Sequence, residues 1–161
     1  MKRRILLVDD DLAVLLTLKA VLELHGFEVE TAASSAEAFS RMDSGVYQMV
    51  ISDLRMETED AGLEVIRRAH GQAYDPATAL LTAYAPPDER VRAARKGKES
   101  GAGELDGKDG RGGNPDSVLI KPLGTGDLLR QVEALLVSHA DKKLRQRNAA
   151  SNMQENRHRA G

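Results

Sequence analysis

The amino-acid sequence predicts an α/β protein in which helices cover both faces of a doubly wound, five-stranded parallel β-sheet. Short aliphatic runs alternate with stretches of helical periodicity along the chain. This alternation is typical of parallel strands that are joined by right-handed crossover helices. The second run is the least apolar of the five, so we expect it to form an edge strand.

The first two strand–helix units carry clear start and stop signals. Residues 5–8 form an aliphatic run with the length and β-branching of a buried strand. The helical pattern that follows begins with Asp11 as a plausible N-cap and stops at Gly26. An alternating strand, FEVETA, then leads to a helix with Ser34 or Ser35 as its cap.

The remaining units repeat this pattern with shorter elements. Buried strands are predicted at QMVISD (48–53), TALLT (78–82) and VLI (118–120), and helices at GLEVIRRAHG (62–71), PDERVRAARKG (87–97) and GDLLRQVEALLVSHA (126–140). Every unit therefore ends a strand at the same edge of the predicted sheet.

A glycine-rich segment interrupts the alternation at about residues 97–116. Seven glycines lie between Gly97 and Gly113, together with charges of both signs and almost no apolar side chains. Such a composition cannot pack a core, so we predict a flexible insertion. A calcium loop is excluded because the acidic residues lack the required alternation.

Residues 1–137, which end within the last predicted helix, form one expected domain. Residues 138–161 carry six basic against two acidic residues in a chain whose net charge is −2, so the domain itself is acidic. High charge and low hydrophobicity predict that this basic tail is disordered or a fraying continuation of the last helix. Binding of nucleic acid or an acidic partner by the tail is the alternative, whereas the acidic domain argues against nucleic-acid binding.

The composition excludes several classes of site. The chain has no cysteine, which removes disulfides, thiolate zinc sites and a cysteine nucleophile. The apolar run after MKRR is too short for a signal peptide or a membrane span. We therefore expect a soluble, cytoplasmic protein that does not bind membranes.

Complementary polar residues follow the buried strands. Asp9 and Asp10 follow the first strand, Asp53 and Thr82 end later strands, and Lys121 follows the last. A polar residue at a strand end is ordinary, but ligands bind beyond the carboxyl ends of parallel strands. Three acids suit Mg²⁺, and a lysine and a hydroxyl suit a phosphoryl group. The sequence therefore predicts phosphoryl transfer, with the carboxylate of Asp53 as nucleophile.

Four motifs in this order, ILLVDDD, VISDLRM, LLTAYA and LIKPL, resemble the receiver domain of two-component response regulators. The resemblance covers roughly residues 1–137 and is to single-domain, chemotaxis-type members. It implies a flavodoxin-like sheet of order 2-1-3-4-5. It also implies a phosphoprotein in a phosphorelay, in which Asp53 accepts a phosphoryl group from a histidine kinase or phosphotransfer protein.

The resemblance assigns roles to the matching residues. Asp10, Asp53 and the backbone carbonyl of Arg55 would bind Mg²⁺, with help from Asp9. Lys121 would contact the phosphoryl oxygens.

Further positions would govern switching and phosphate lifetime. Thr82 would bond to the phosphoryl group and move inward on activation, and Pro122, which follows Lys121, would modulate the switch. Arg55 and Tyr84 lie where the family controls access of the hydrolytic water, and a bulky Tyr84 predicts slow autodephosphorylation. The implied protein is a phosphoacceptor and not a conventional enzyme.

Three departures from the family pattern leave alternatives open. Val118 stands where the family usually has an aromatic switch residue, the segment after DLRM lacks the usual proline, and the glycine-rich insertion lies in a common output surface. A scaffold that acts by binding alone is therefore the alternative function. A phosphatase of the haloacid-dehalogenase type is disfavoured because Arg55 replaces its second acid.

Too few residues follow Val137 for a separate output domain with its own core. We therefore expect a stand-alone receiver whose signal passes to an unidentified protein partner.

Overall fold

A five-stranded parallel β-sheet forms the centre of the computed structural model, which describes residues 2–83, 115–121 and 124–159. The strands are β1 (Arg4–Val8), β2 (Glu28–Ala32), β3 (Met49–Asp53), β4 (Ala77–Thr82) and β5 (Ser117–Ile120). Their order is β2-β1-β3-β4-β5, and every neighbouring pair is parallel. The predicted strand order and the edge position of the second strand are confirmed.

Helices cover both faces of this sheet. They are α1 (Leu12–Leu24), α2 (Ser35–Ser44), α3 (Ala61–His70) and α4 (Thr125–Arg159). The helix predicted at 87–97 lies outside the described residues, as do Tyr84, Pro122 and nearly all of the glycine-rich insertion.

The side chains of each strand alternate between two cores, because successive residues of a strand point to opposite faces. Ile5 and Leu7 pack in one core with α1 and α4, whereas Leu6 and Val8 pack in the other with α2 and α3. Both faces of β1 are therefore buried, which explains the continuous aliphatic run over residues 5–8.

The predicted helix caps form in the structure. The Asp11 side chain accepts hydrogen bonds from the backbone N–H groups of Ala13 and Val14, at 2.9 and 3.3 Å. After α1, Gly26 has a φ of 88°, a conformation that glycine adopts without strain. These local signals start α1 at Leu12, directly after the acidic residues that follow β1.

The last helix continues through the basic tail up to Arg159. Two side chains one turn apart anchor it beside the start of β4. His139, 8% exposed, places Nε2 2.8 Å from the carbonyl oxygen of Asp75. Lys143 donates to the carbonyl oxygen of Tyr74 at 3.0 Å. In the ranges described above, no helix combines the length and apolar character needed to cross a membrane.

Gly62 allows α3 to pack against the end of β3. Its N–H donates to the carbonyl oxygen of Leu54 at 3.0 Å. A Cβ atom at this position would lie 2.1 Å from the carbonyl oxygen of Asp53 and 2.7 Å from the Cα of Leu54. Any larger side chain would have to push the helix away from the strand.

We expect Gly62→Ala to lower the free energy of unfolding by about 3 kcal/mol, since the clash is with backbone that cannot turn aside. Urea unfolding followed by circular dichroism measures this loss. Gly126→Ala is the matched control because a Cβ there meets nothing within 4 Å. Equal urea midpoints for Gly62→Ala and the wild type would contradict the packing argument.

A second prediction concerns Tyr47, which is 1% exposed and donates a hydrogen bond to Glu30. This bond is the main cause that holds the pKa of Glu30 below its usual 4.5, with help from Arg4. The stabilisation is therefore complete above pH 4.5 and is lost as the pH falls through the lowered pKa. We expect Tyr47→Phe to cost about 1–2 kcal/mol at pH 7 and clearly less at pH 3.

Urea midpoints of the variant and the wild type at both pH values test this difference. Tyr74→Phe serves as the control, because the Tyr74 hydroxyl donates to the carbonyl oxygen of Met42 at 3.1 Å, an acceptor that does not titrate. A cost for Tyr47→Phe that is the same at both pH values would show that Glu30 is not the coupled group.

Candidate functional site

The carboxyl ends of four strands lie side by side and define the candidate site. In the register of the sheet, Val8 pairs with Ser52, Asp53 with Leu81, and Thr82 with Ile120. Backbone hydrogen bonds continue past the strand ends: Leu54 donates to Leu81 at 3.0 Å, and Lys121 donates to Thr82 at 2.7 Å. The polar residues that follow the strands are therefore brought to one edge.

Three carboxylates cluster at this edge. Asp9, Asp10 and Asp53 each offer an oxygen atom, and these oxygens lie within 4.8 Å of one another. Asp9 is 2% exposed, Asp10 is exposed, and Asp53 is intermediate. The Asp9 carboxylate also accepts the N–H of Asp11 at 2.9 Å, which fixes its orientation at the start of α1.

Lys121 supplies the positive charge that faces these acids. Its Nζ lies 2.9 Å from Oδ2 of Asp9 and 3.5 Å from Oδ1 of Asp53. Burial acts to lower the pKa of Lys121, but the hydrogen bond and charge of Asp9 and the charge of Asp53 outweigh it, so the net shift is upward. The side chain therefore remains an ammonium ion at neutral pH.

For Asp53, burial has a stronger effect on the pKa than the neighbouring ammonium of Lys121. Burial, followed by the neighbouring charge of Asp9, raises the pKa of Asp53 to about 6, against the opposing effect of Lys121. One ammonium thus faces three carboxylates, and the site retains an excess of negative charge.

A divalent hard cation fits this donor set. Carboxylate oxygens are the ligands that Mg²⁺ prefers, and an exposed Asp10 leaves room for the water molecules that this ion retains. Mg²⁺ also uses only one or two carboxylates from the protein in most sites of this kind. The residues present are therefore suitable for Mg²⁺.

Among the other predicted site residues, Thr82 is the last residue of β4 and lies beside Lys121 through the backbone hydrogen bond given above. Arg55 lies two residues beyond Asp53, in the loop between β3 and α3, with an exposed side chain. Tyr84 and Pro122 are outside the described residues, so their predicted roles stay predictions.

Two contacts near the site were not predicted from the sequence. Gly62 packs against the Asp53 carbonyl, and the carboxylate of Glu57 bonds to Ser35 at the start of α2. The only sequence signal for the second contact is that a glutamate, and not a proline, follows DLRM.

Comparison with known proteins places the chain in a family. The model of the response regulator receiver domain matches residues 5–100. The transcriptional regulatory protein PrrA of Mycobacterium tuberculosis is 33% identical over 133 residues, which are 83% of this chain and 49% of that protein. The response regulator MprA of the same species is 35% identical over 136 residues, 84% of this chain and 51% of that protein. The chain thus spans about half the length of these curated relatives.

Solved structures agree with these relatives. A CheY-like receiver domain protein of Methanospirillum hungatei has a TM-score of 0.70 at 24% identity, covering 88% of this chain and 99% of that one. The response regulator TrrA of Thermotoga maritima, solved in complex with Mg²⁺-BeF, has a TM-score of 0.62 at 29% identity, covering 83% and 98%. Because the family model covers more than half of the chain, this protein belongs to the family of response regulator receiver domains.

Proposed function

We propose that residues 1–137 act as a phosphoacceptor, in which Asp53 takes a phosphoryl group from the phosphohistidine of a histidine kinase or phosphotransfer protein. The observation that carries this proposal is the position of the Asp53 carboxylate between two further acids and the ammonium of Lys121, 3.5 Å away. A nucleophile, a cation site and a positive group for phosphoryl oxygens then lie within one small volume.

The proposed reaction is a simple displacement at phosphorus. A carboxylate oxygen of Asp53 forms a bond to phosphorus while the bond from phosphorus to the donor imidazole nitrogen breaks, and its electron pair stays on the imidazole. Asp10, Asp53 and the Arg55 carbonyl are the proposed ligands of Mg²⁺, with help from Asp9, and the ion would neutralise phosphoryl charge when bound. Lys121 provides the second positive charge at the phosphoryl oxygens. The Thermotoga maritima relative was solved in complex with Mg²⁺-BeF, which supports Mg²⁺ as the cation of the proposed reaction.

The proposed relay begins at Thr82 and Lys121, which are linked through the backbone. A phosphoryl group on Asp53 offers new acceptor oxygens to both side chains and so favours a second arrangement of the strand ends. Val118, which pairs with Leu80, lacks the aromatic ring expected at its position, so Thr82 carries the proposed switch with Lys121.

A protein partner is the proposed receiver of the signal, reached by this conformational change. The relative PrrA is a transcriptional regulatory protein, and nucleic acid is therefore an alternative target for the basic end of α4.

The first prediction from this proposal is that the protein gains one phosphoryl group on incubation with acetyl phosphate and Mg²⁺. Intact mass spectrometry measures the gain. The gain should vanish in Asp53→Asn, which lacks the nucleophilic carboxylate, and also when EDTA removes Mg²⁺. Asp43→Asn is the matched control, because Asp43 is an exposed partner of Arg68 away from the strand ends.

A wild-type protein that gains no mass, under conditions that label another receiver domain, would contradict the proposal. The alternative of a scaffold that acts by binding alone would then take its place. A gain that survives in Asp53→Asn would show that a different residue is the acceptor.

The second prediction concerns the competition between Lys121 and Mg²⁺ for the same oxygens. Because the ammonium contacts both Asp9 and Asp53, Lys121→Met should tighten Mg²⁺ binding by roughly three- to tenfold. The same variant should be phosphorylated more slowly, since one positive charge at the phosphoryl oxygens is lost.

Calorimetric titration with Mg²⁺ and a time course with acetyl phosphate measure the two effects. Lys142→Met on the exposed side of α4 is the control for a lost charge. Weaker Mg²⁺ binding in Lys121→Met would mean that the lysine organises the acids more than it competes for them.

A further inference from the structure

The loop between β3 and α3 is tied to a helix that it does not belong to. A carboxylate oxygen of Glu57 accepts the backbone N–H of Ser35 at 2.8 Å and also bonds to the Ser35 hydroxyl. Ser35 is the first residue of α2. The contact therefore joins the segment after the phosphoacceptor to the N-terminus of a neighbouring helix.

The helix α2 has its own cap and does not depend on Glu57 for it. The Ser34 hydroxyl accepts the N–H of Glu37 at 3.1 Å, and the Glu37 carboxylate accepts the N–H of Ala33 at 3.0 Å. Glu57 adds a negative charge at the positive end of the helix dipole, and the Ser35 bonds lower its pKa. The contact thus chiefly restrains the loop and does not complete the helix.

The restraint acts on the residues that directly follow Asp53. Leu54, next to Asp53, is fixed on one side by its bond to Leu81 and on the other by the bond from Gly62, each 3.0 Å long. Glu57 is fixed by Ser35. Arg55, whose carbonyl is a proposed ligand of Mg²⁺, lies between these two fixed points.

We propose that Glu57 is a positioning residue for the cation: through its bonds to Ser35 it holds the Leu54–Met56 backbone in place for Mg²⁺ binding. This inference rests on the proposed function and assigns a role to the glutamate that follows DLRM, where the family usually has a proline. A proline would stiffen the loop through its own ring, whereas Glu57 fixes it through a contact with α2.

Binding of Mg²⁺ itself tests the proposal. Partners that orient metal ligands typically change affinity by tenfold or more when removed, so we expect the Mg²⁺ dissociation constant of Glu57→Ala to rise about tenfold in calorimetric titrations. Glu57→Gln keeps an oxygen that accepts from Ser35 and should recover most of this loss. Ser35→Ala removes only the hydroxyl and should give an intermediate value.

Glu64→Ala controls for the lost charge, because Glu64 is an exposed acid in the first turn of α3. If Glu57→Gln binds Mg²⁺ as weakly as Glu57→Ala, or if Glu64→Ala loses as much, charge alone explains the effect and the positioning role is wrong. Unchanged binding in Glu57→Ala would also overturn it. Circular dichroism shows whether each variant is folded. If Glu57→Ala does not fold, the Mg²⁺ dissociation constants of Ser35→Ala and Glu57→Gln test the positioning role.

The phosphorylation assay on the same variants keeps the two proposals apart. At saturating Mg²⁺, Glu57→Ala should still gain one phosphoryl group. At limiting Mg²⁺, it should gain the group more slowly than the wild type. A wild type that binds Mg²⁺ but gains no mass would contradict the phosphoacceptor function. The Mg²⁺ dissociation constants of the variants would still test the positioning role of Glu57.

Discussion

The candidate site of this receiver domain depends on a balance between three mutually repelling carboxylates and one ammonium group. Two carboxylates about 4 Å apart repel by roughly 4 kcal/mol at an effective dielectric of 20, and three of them meet here within 4.8 Å. The ammonium of Lys121 offsets part of that cost through its contacts with Asp9 and Asp53. The acids come from β1 and β3 and the lysine follows β5, so the arrangement exists only if the whole sheet is assembled in order.

Such an assembly needs strands that cannot slip. Each strand between the edges is buried on both faces, and a shift by one residue would exchange the side chains of the two cores. The branched chains of Ile5 and Leu7 fit beneath α1 and α4, whereas Leu6 and Val8 fit beneath α2 and α3. Hydrophobic packing thus sets the register, and the register sets the distances between the charges.

Most of the fold could be predicted from the sequence because its signals are local. Aliphatic runs, Asp11 as a cap and Gly26 as a stop determine their own neighbourhoods. The family motifs similarly identified the residues that gather at the strand ends. Contacts between distant segments could not be predicted this way: the bond of Glu57 to Ser35 and the burial of His139 depend on how α2 and α4 lie in three dimensions. The pairing of Lys121 with Asp9 belongs to the same class, since the sequence indicated only that each would face a ligand.

The long last helix has a mechanical consequence. At 1.5 Å per residue, the 35 residues of α4 extend for about 50 Å, longer than a small domain is wide. Only three residues separate Lys121 from its first turn, and His139 and Lys143 hold it near its middle. A continuous helix that is held near its centre converts a small tilt at one end into an opposite displacement at the other. Any rearrangement that begins at the candidate site and reaches the start of α4 would therefore be delivered, reversed in direction, to the basic surface at its far end.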